Sequence, residues 1–410
     1  MNILLISYLF PPTLSSESIV IGKLFGALEG DRLANIDVLT GQNIHLNTKD
    51  DMGLMDFFPK KMRIFKLPSF ESYIFYKIYS YYFPWWLKKP DNLFLWRLLA
   101  KHKAVKLRRE CRYDFIIASV NPLSNAWVAL QMKKIFPEMK LVFLINDPVA
   151  TNPFLSVSLS RFEYLKRFEH QLVITGDLFV FPCPELRDFF LNPYASEYSQ
   201  KTAVIPHSYQ PLAFAASADI IIKRHKQRNN SRKNKVVLSH VGAITGLRKL
   251  TVLSEAIPLL PEVFREQIII NFVGHVDKDL QNIFRDCEFI VFKGPVSYKE
   301  SLRQMQLADV LLLVDADIDR SFFFPGKLPD YLASDRPIIA ITTPDSCVSR
   351  ILSGHQAMIV APNDARGLAQ AIIDLVEDRW PSGKSVRDDV AKYSSANVAK
   401  LFYKAIKCLS

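Results

Sequence analysis

Short apolar runs rich in valine and isoleucine recur along the whole chain, and longer segments with helical spacing separate them. Such runs are typical of strands buried on both faces, and their alternation with helices favours a parallel sheet covered by helices on each side. The pattern starts again after a basic cluster at residues 223–235. We therefore predict two doubly wound, Rossmann-like α/β domains that face each other across a cleft, with a ligand at the carboxyl ends of their strands.

The predicted elements divide between the two halves of the chain. Strands of the first half are predicted at 2–8, 36–40, 63–67, 115–119, 141–146, 178–181 and 203–205. Strands of the second half are predicted at 236–241, 268–273, 289–292, 310–314, 338–341 and 358–360. Helices are predicted at 247–260, 298–308 and 365–377, and a last helical stretch at 387–409.

These elements predict domain boundaries. Residues 1–210 form the first domain, 211–235 a linker, 236–380 the second domain, and 381–410 a C-terminal helix that packs back on the first domain. The cluster KRHKQRNNSRKNK in the linker has no aromatic residues, which is typical of a solvated connection.

Composition narrows the class of protein. With 49% hydrophobic and 23% charged residues, the 410-residue chain is globular and not disordered. Its 5 cysteines stand alone without a C-x-x-C pair, which excludes zinc ribbons and fits a reducing compartment. The N-terminal run lacks a preceding basic stretch and predicts a strand instead of a signal peptide. The longest uncharged stretch, 115–132, carries Asn121 and Pro122 near its middle, which argues against a membrane span. We expect a cytoplasmic protein.

The net charge of +11 lies in one segment. Residues 57–112 hold 14 basic and 3 acidic residues, whereas the remainder holds 38 of each. Tyrosine, phenylalanine and tryptophan are interleaved with these cations, a composition that suits the anionic inner face of the plasma membrane. A solvated basic face over an aromatic core and a single-stranded nucleic-acid site are the alternatives, but no nucleic-acid motif is present. The predicted membrane-surface residues are Trp85, Trp86, Lys88, Lys89, Trp96 and Arg97.

Several nucleotide-binding and catalytic signatures are missing. No G-x-G-x-x-G follows a strand, and neither G-x-x-x-x-G-K-[ST] nor G-x-S-x-G occurs. The sequence therefore lacks the signals of nicotinamide or flavin binding, of a P-loop and of a hydrolase nucleophile elbow.

Two loops of the second half carry groups that suit a nucleotide. Arg248 and Lys249 follow a glycine turn near a helix start, where cations and free N–H groups bind a diphosphate, although such a pair is also common as a solvated one. Pro325 and Gly326 lead into a short helix with Asp330 in its first turns. That carboxylate either favours the helix dipole or accepts hydrogen bonds from ribose hydroxyls.

Other carboxylates are weaker candidates. Asp315, Asp317 and Asp319 form a D-x-D pattern that lacks calcium-loop spacing, and we interpret it as a polar loop and expect no metal or other cofactor. Asp147 follows a strand, where it could orient an acceptor hydroxyl or cap the turn before Pro148.

The order and spacing of these pieces resemble the GT-B glycosyltransferases, in particular family four of the retaining enzymes. The likeness covers nearly the whole chain and is strongest at 236–376. It rests on the opening ILLISYLFPPTLSSESIVIGKL, on LINDPVATNPF and AVIPHSYQP, and on FVGHV, FKGPVSYKE and FFPGKLPDYLASDRPIIA in the second half.

The resemblance implies roles for individual residues. Arg248 and Lys249 correspond to a basic pair that grips the donor pyrophosphate, and with Asp147 they are the expected catalytic residues. Asp330 corresponds to the second glutamate of a paired motif that holds the ribose. The remaining donor-binding residues are Gly242 in the first loop, Gly294, Pro295 and Val296 beside the base, and Gly326, Lys327 and Leu328 with N–H groups for phosphate. The acceptor-side residues are Ser15 and Ser16, in place of a glycine pair, with Asn121 and Asp147.

The sequence also departs from the family. Phe322 stands where the first glutamate of the paired motif is expected, Ala243 where an arginine often stands, and Ser119 with Asn121 where a histidine is usual. A similarly trimmed motif occurs in a subgroup that makes surface polysaccharides.

The resemblance therefore implies a retaining, metal-independent transfer of a sugar from a nucleotide sugar to a glycan or lipid-linked glycan. The alternatives are a sugar-nucleotide epimerase of the same fold and a catalytically degenerate membrane scaffold.

Overall fold

The computed structural model describes residues 1–42, 50–57, 62–69, 90–215, 235–379 and 389–409. The chain divides into two compact units. The N-terminal unit contains Met1–His207 together with Ser395–Ser410, and the C-terminal unit contains Ser208–Ser394. Each unit is built on one parallel sheet whose strands alternate with helices, so the predicted fold class is confirmed.

The sheet of the N-terminal unit is wound outward from its centre. Its strands within the described residues are β1 (Asn2–Ile6), β2 (Asn35–Gln42), β3 (Arg63–Pro68), β4 (Phe115–Ser119), β5 (Lys140–Leu144), β6 (Leu178–Phe181) and β7 (Thr202–Val204). They lie in the order β3-β2-β1-β4-β5-β6-β7, with Ile3 paired to Ile36 on one side and to Phe115 on the other. The winding reverses between β1 and β4, so the loops after these strands open at the carboxyl edge.

Helices cover this sheet. They are α1 (Ser16–Gly30), α2 (Phe94–Glu110), α3 (Leu123–Ile135), α4 (Leu159–Thr175) and α5 (Pro184–Leu191), with 3-10 turns at Met52–Phe57 and Ser196–Lys201. The start of α1 is fixed by Ser15, whose hydroxyl accepts a hydrogen bond from the Ser18 amide at 3.1 Å. This cap places the first turn of α1 at the carboxyl edge of the sheet.

The C-terminal unit repeats the plan. Its strands are β8 (Val236–Val241), β9 (Ile268–Val273), β10 (Ile290–Gly294), β11 (Val310–Val314), β12 (Ile338–Ile341) and β13 (Ala357–Val360), in the order β10-β9-β8-β11-β12-β13. Its helices are α6 (Pro211–Ala215), α7 (Thr251–Ala256), α8 (Glu262–Arg265), α9 (Lys278–Asn282), α10 (Tyr298–Leu307), α11 (Leu328–Ala333), α12 (Cys347–Leu352) and α13 (Ala365–Val376), with 3-10 turns at Ile257–Leu259 and Val390–Tyr393. The winding reverses between β8 and β11.

The last helix, α14 (Ser395–Lys407), belongs to the N-terminal unit. It packs on α1, where the rings of Phe25 and Phe402 meet edge to face with centroids 5.7 Å apart. Val398 and Ile406 enter the same hydrophobic core as β1 and β2. The chain thus returns to its first unit after completing the second.

The structure contains a strand at each predicted position, with ends that differ by at most two residues. The helix predicted at 247–260 begins only at Thr251, because a turn at residues 246–247 and an irregular segment at 248–250 precede it, and the segment around Pro258 continues it as a 3-10 turn. Of the predicted linker, residues 211–215 are helical and 216–234 lie outside the described residues.

Candidate functional site

Three glycines lie at the carboxyl ends of neighbouring strands in the C-terminal unit. Gly242, Gly274 and Gly294 follow or end β8, β9 and β10, and each has a positive φ, of 132°, 135° and 68°. The Gly242 amide donates to the Val273 carbonyl at 2.7 Å, and the Gly274 amide to the Gly294 carbonyl at 2.9 Å. A side chain at Gly274 would collide with the backbone of Gly242. The absence of side chains lets the loops after these strands pack closely against one another, and only Gly294 has open space where a Cβ would lie.

The loop after Gly294 borders this edge. Pro295 is exposed and Val296 is half-buried, and Ser297 then caps α10. Gly242 and Gly294 therefore lie at the same edge of the sheet, on either side of Gly274, and Pro295 and Val296 follow Gly294 in the chain. Contact of this loop with a base stays a prediction.

Lys327 brings an amino group to this edge. Its Nζ lies so close to Gly242 that a Cβ there would come within 2.8 Å of it. The same Nζ lies 2.7 Å from Nε2 of His240, a fully buried residue of β8, whose Nδ1 lies 3.0 Å from the Leu312 carbonyl. A carbonyl can only accept, so Nδ1 carries the proton and Nε2 offers its lone pair to Lys327.

Charge and burial act together on this pair. Burial lowers the pKa of Lys327, the nearby Arg248 cation lowers it further, and the Asp315 carboxylate opposes them. Burial, followed by the charges of Lys327 and Arg248, holds the pKa of His240 well below its usual value. Such a concentration of cationic groups is stabilised by a bound anion.

The two members of the predicted basic pair have different surroundings. Both lie in the turn before α7. Arg248 is half-buried and its charge acts on Lys327, His240 and Asp315. Lys249 is exposed and pairs with Asp317 at 2.9 Å. Only Arg248 therefore belongs to the cluster of Lys327 and His240, and a donor contact of Lys249 stays a prediction.

The D-x-D carboxylates also separate. Asp315 is buried and accepts hydrogen bonds from the Thr342 hydroxyl at 2.9 Å and the Ala316 amide at 2.8 Å, and burial raises its pKa. Asp317 is engaged by Lys249, and Asp319 is exposed. The three carboxylates therefore lie in three different environments.

Asp330 lies beneath the surface of the C-terminal unit. It is only 3% exposed, and the Tyr298 hydroxyl lies 3.3 and 3.4 Å from its two oxygens. Burial and the Asp330 charge raise the pKa of Tyr298 well above its usual value. Phe322 is buried and packs on Phe323 with ring centroids 4.6 Å apart, so it fills apolar space at the position where the resemblance implies a glutamate.

The loop before α11 corrects one prediction. The Leu328 amide donates to the Pro325 carbonyl at 2.9 Å, so this N–H is already bonded and does not serve a phosphate. Leu328 itself is completely buried, whereas Gly326 and Lys327 are half-buried. The role of Leu328 is to anchor the helix that presents Lys327.

A second polar cluster lies at the switch point of the N-terminal unit. The Ser119 hydroxyl and the Asn146 amide both donate to the Glu17 carboxyl, Asn146 at 3.0 and 3.1 Å to the two oxygens. The Asn121 amide reaches the Asp147 carboxylate at 3.3 Å. The predicted acceptor-side pair, Asn121 and Asp147, is therefore brought together.

Glu17 was missed from the sequence. Burial, together with the Asp147 charge, raises its pKa to about 7, against the hydrogen bonds from Ser119 and Asn146. A glutamate in the first turn of a helix is common in proteins. The only sequence signal for Glu17 is its position at the start of α1, just after the loop that follows β1. Ser15 uses its hydroxyl to cap α1, and Ser16 is exposed at the helix start, so neither joins the cluster.

The predicted membrane-surface residues are partly corrected. Trp85, Trp86, Lys88 and Lys89 lie outside the described residues. Trp96 is completely buried and meets the ring of Tyr8 edge to face at 5.0 Å. Arg97 is 6% exposed, and its guanidinium packs on the rings of Phe94 and Trp127 at 4.9 and 5.1 Å. The prediction was wrong for Trp96 and Arg97, because the core of the unit covers both side chains.

The outer face of α2 carries a different set of side chains. Leu98 and Leu99 are exposed, by 43% and 39%, and His102, Lys106 and Arg109 follow them on the same helix. Within the described part of the chain, no helix is both long and apolar enough to traverse a bilayer.

The sequence of the C-terminal unit was compared with known protein families. Residues 235–378, within the C-terminal unit, match the family described as Glycosyl transferases group 1. A search of curated proteins finds no match.

Solved structures share the fold over nearly their whole length. Anabaena HepE in complex with UDP-glucose is 13% identical and has a TM-score of 0.66, with 100% of this chain and 99% of that one covered. WaaG, a glycosyltransferase involved in lipopolysaccharide biosynthesis, is 14% identical and has a TM-score of 0.60, with 99% and 98% covered. UDP-GlcNAc 2-epimerase from Neisseria meningitidis, bound to UDP-GlcNAc, is 11% identical and has a TM-score of 0.60, with 100% of both chains covered. The fold is the two-domain fold of GT-B glycosyltransferases.

Proposed function

We propose that the chain is a glycosyltransferase that moves a sugar from a nucleotide sugar to a glycan or lipid-linked glycan. The observation that carries the proposal is the position of Lys327 against the backbone of Gly242, with the Arg248 charge acting on it, at the switch point of a domain that matches Glycosyl transferases group 1. Doubly wound domains bind nucleotides at this position.

The chemistry follows from where charge develops. When the bond between sugar and diphosphate breaks, the leaving diphosphate gains negative charge. Arg248 and Lys327 stabilise that charge more strongly in the transition state than in the ground state, which lowers the barrier. The reaction needs no pair of carboxylates on either side of the bond, in contrast to glycoside hydrolysis. We infer a metal-independent reaction with retention of configuration, in keeping with the resemblance to family four.

Two further assignments belong to this proposal. Asp330 is assigned to the ribose, in keeping with the resemblance to family four, and Gly294, Pro295 and Val296 are assigned to the border of the base. Glu17, Asn121 and Asp147 supply acceptors and donors for the hydroxyls of the acceptor.

We also propose that the enzyme works in surface polysaccharide synthesis, at the inner face of the plasma membrane. The basic aromatic segment 57–112 and the exposed Leu98 and Leu99 of α2 support contact with an anionic surface. A lipid-linked acceptor fits such a location.

A sugar-nucleotide epimerase is the second candidate, since the Neisseria epimerase shares the fold over its complete length. An epimerase needs acid and base groups near the sugar, and Glu17 has a pKa of about 7. The two candidates differ in product, because an epimerase returns a nucleotide sugar and a transferase releases a nucleoside diphosphate.

Thermal stability with UDP-, GDP-, ADP-, CMP- and dTDP-sugars, with and without EDTA, tests the donor site. A ligand at a hundred times its dissociation constant stabilises the protein by about 2.7 kcal/mol. We expect stabilisation by one nucleotide, unchanged by EDTA and lost in Arg248→Ala and Asp330→Asn. A folded protein that none of these ligands stabilises would instead be the degenerate scaffold that Phe322 suggests.

A further inference from the structure

Lys327 and His240 form a contact between two bases that both carry a positive charge when protonated. Their nitrogens lie 2.7 Å apart, which leaves room for one proton between them. His240 has committed its other nitrogen to the Leu312 carbonyl at 3.0 Å and is 0% exposed. A second proton on this pair would place two cations in contact inside the protein. The histidine is therefore the neutral partner, and the lysine is the group that can gain or lose charge.

The surrounding groups decide how firmly Lys327 holds its proton. Arg248, from the turn after β8, and burial both weaken that hold, whereas Asp315, at the end of β11, strengthens it. The Tyr331 hydroxyl of α11 donates to the Leu312 and Val241 carbonyls and accepts from the Val241 amide, at 3.4, 3.2 and 2.8 Å. The Asp315 carboxylate is itself occupied by the Thr342 hydroxyl and the Ala316 amide. Without an anion the surroundings disfavour the charged lysine.

A diphosphate beside Gly242 reverses this balance. Its negative charges lie next to Nζ and Arg248, in a partly desolvated place where Coulomb interactions are strong. The charged form of the lysine is then the stable one.

We propose that Lys327 takes up one proton from solvent when a diphosphate group binds beside Gly242, and that His240 is the positioning residue that holds the resulting ammonium against the anion. The new N–H bond uses the lone pair of Nζ, and the proton comes from the buffer acid. His240 contributes only its Nε2 lone pair and does not change its own charge. The identity of the anion as part of a nucleotide sugar rests on the proposed function; the proton uptake does not.

Isothermal titration calorimetry at pH 8 measures the uptake directly. The wild-type protein is titrated with UDP-glucose and, separately, with inorganic pyrophosphate, in buffers that differ in their enthalpy of ionisation. The slope of the observed enthalpy against the buffer enthalpy gives the number of protons taken up. For UDP-glucose we expect a positive slope with the wild type and a slope near zero with Lys327→Arg. The guanidinium of the variant is already protonated before binding, so no proton is taken up.

Variants of His240 test the positioning role. His240→Gln keeps a side-chain hydrogen-bond acceptor for Lys327. His240→Phe places an apolar ring at the same buried position and removes the acceptor. We expect His240→Phe to weaken anion binding by about tenfold, because a hydrogen bond to a charged group is lost, and His240→Gln to restore most of the affinity. Thermal denaturation of each variant shows whether it is folded. Lys404→Arg, at an exposed position of α14 in the N-terminal unit, makes the same lysine-to-arginine exchange as Lys327→Arg and should leave the slope unchanged.

Three results distinguish the proton uptake by Lys327, the positioning role of His240 and the proposed function from one another. Equal slopes in wild type and Lys327→Arg would mean that Lys327 is charged before binding, which overturns the proton uptake. Equal affinities in folded His240→Phe and His240→Gln overturn the positioning role. If pyrophosphate binds with proton uptake but none of the nucleotide sugars binds, the inference stands and the proposed function fails.

Discussion

Replacing Glu17 by glutamine should make the stability of the N-terminal unit less sensitive to pH. Burial raises the pKa of Glu17 from its ordinary 4.5 to about 7, so the folded state holds the proton more tightly than the unfolded state. The stabilisation from this proton is complete below the ordinary pKa and is lost as the pH rises through about 7. Glutamine cannot ionise and does not show this loss.

The size of the effect follows from the shift. One unit of pKa corresponds to 1.36 kcal/mol, so the wild type loses up to about 3 kcal/mol between pH 4.5 and pH 8 that Glu17→Gln retains. For a unit of this size about 1 kcal/mol moves the melting temperature by roughly 2–4 °C, which predicts a relative shift of about 6–12 °C.

Calorimetric melting of wild type and Glu17→Gln at pH 5 and pH 8 measures this difference. Glu163→Gln, at an exposed position of α4, provides a control with the same chemical change. We expect the melting temperature of Glu17→Gln to rise relative to that of the wild type between pH 5 and pH 8. The melting temperature of the control should change with pH as the wild type's does. Parallel pH dependence in all three proteins would refute the reasoning and would mean that Glu17 is ionised without cost in the folded protein.

Three other substitutions test the donor site and the core. Lys327→Met should weaken nucleotide-sugar binding by about tenfold or more, because it removes a charged contact to the diphosphate, and titration calorimetry measures the change. Tyr298→Phe should destabilise the C-terminal unit by about 1–3 kcal/mol, since the buried Asp330 carboxylate loses a donor; chemical denaturation followed by circular dichroism checks this value. Phe402→Ala should cost the N-terminal unit about 3–5 kcal/mol through the cavity it leaves against Phe25, as a calorimetric scan would record.

The fold could be predicted because it depends on a repeated local signal. Strands that are buried on both faces are apolar throughout, and every such run became a strand of one of the two sheets. The helix predicted from residue 247 begins only at Thr251, after an irregular segment that holds Arg248 near enough for its charge to act on Lys327, a tertiary relation that local pattern does not encode.

The site was predicted less completely. Gly242, Gly294 and Lys327 came from the family resemblance, as did Asn121, and Asp147 came also from its position after a strand. His240 and Glu17 depend on contacts between residues more than 80 positions apart, with Lys327 and with Ser119, so no local pattern reveals them. Trp96 and Arg97 were misplaced because an arginine stacked between aromatic rings can be buried, whereas composition alone suggests a surface.

Product analysis with a radiolabelled sugar donor distinguishes glycosyl transfer from epimerisation. The nucleotide sugar that stabilises the protein is labelled in its sugar and incubated with membrane lipid extract, and the products are separated by chromatography. For a glycosyltransferase we expect label in a lipid-linked glycan together with free nucleoside diphosphate. Both products should be greatly reduced with Lys327→Met. Label that remains in a nucleotide sugar of altered configuration, with no nucleoside diphosphate released, would contradict glycosyl transfer and identify an epimerase.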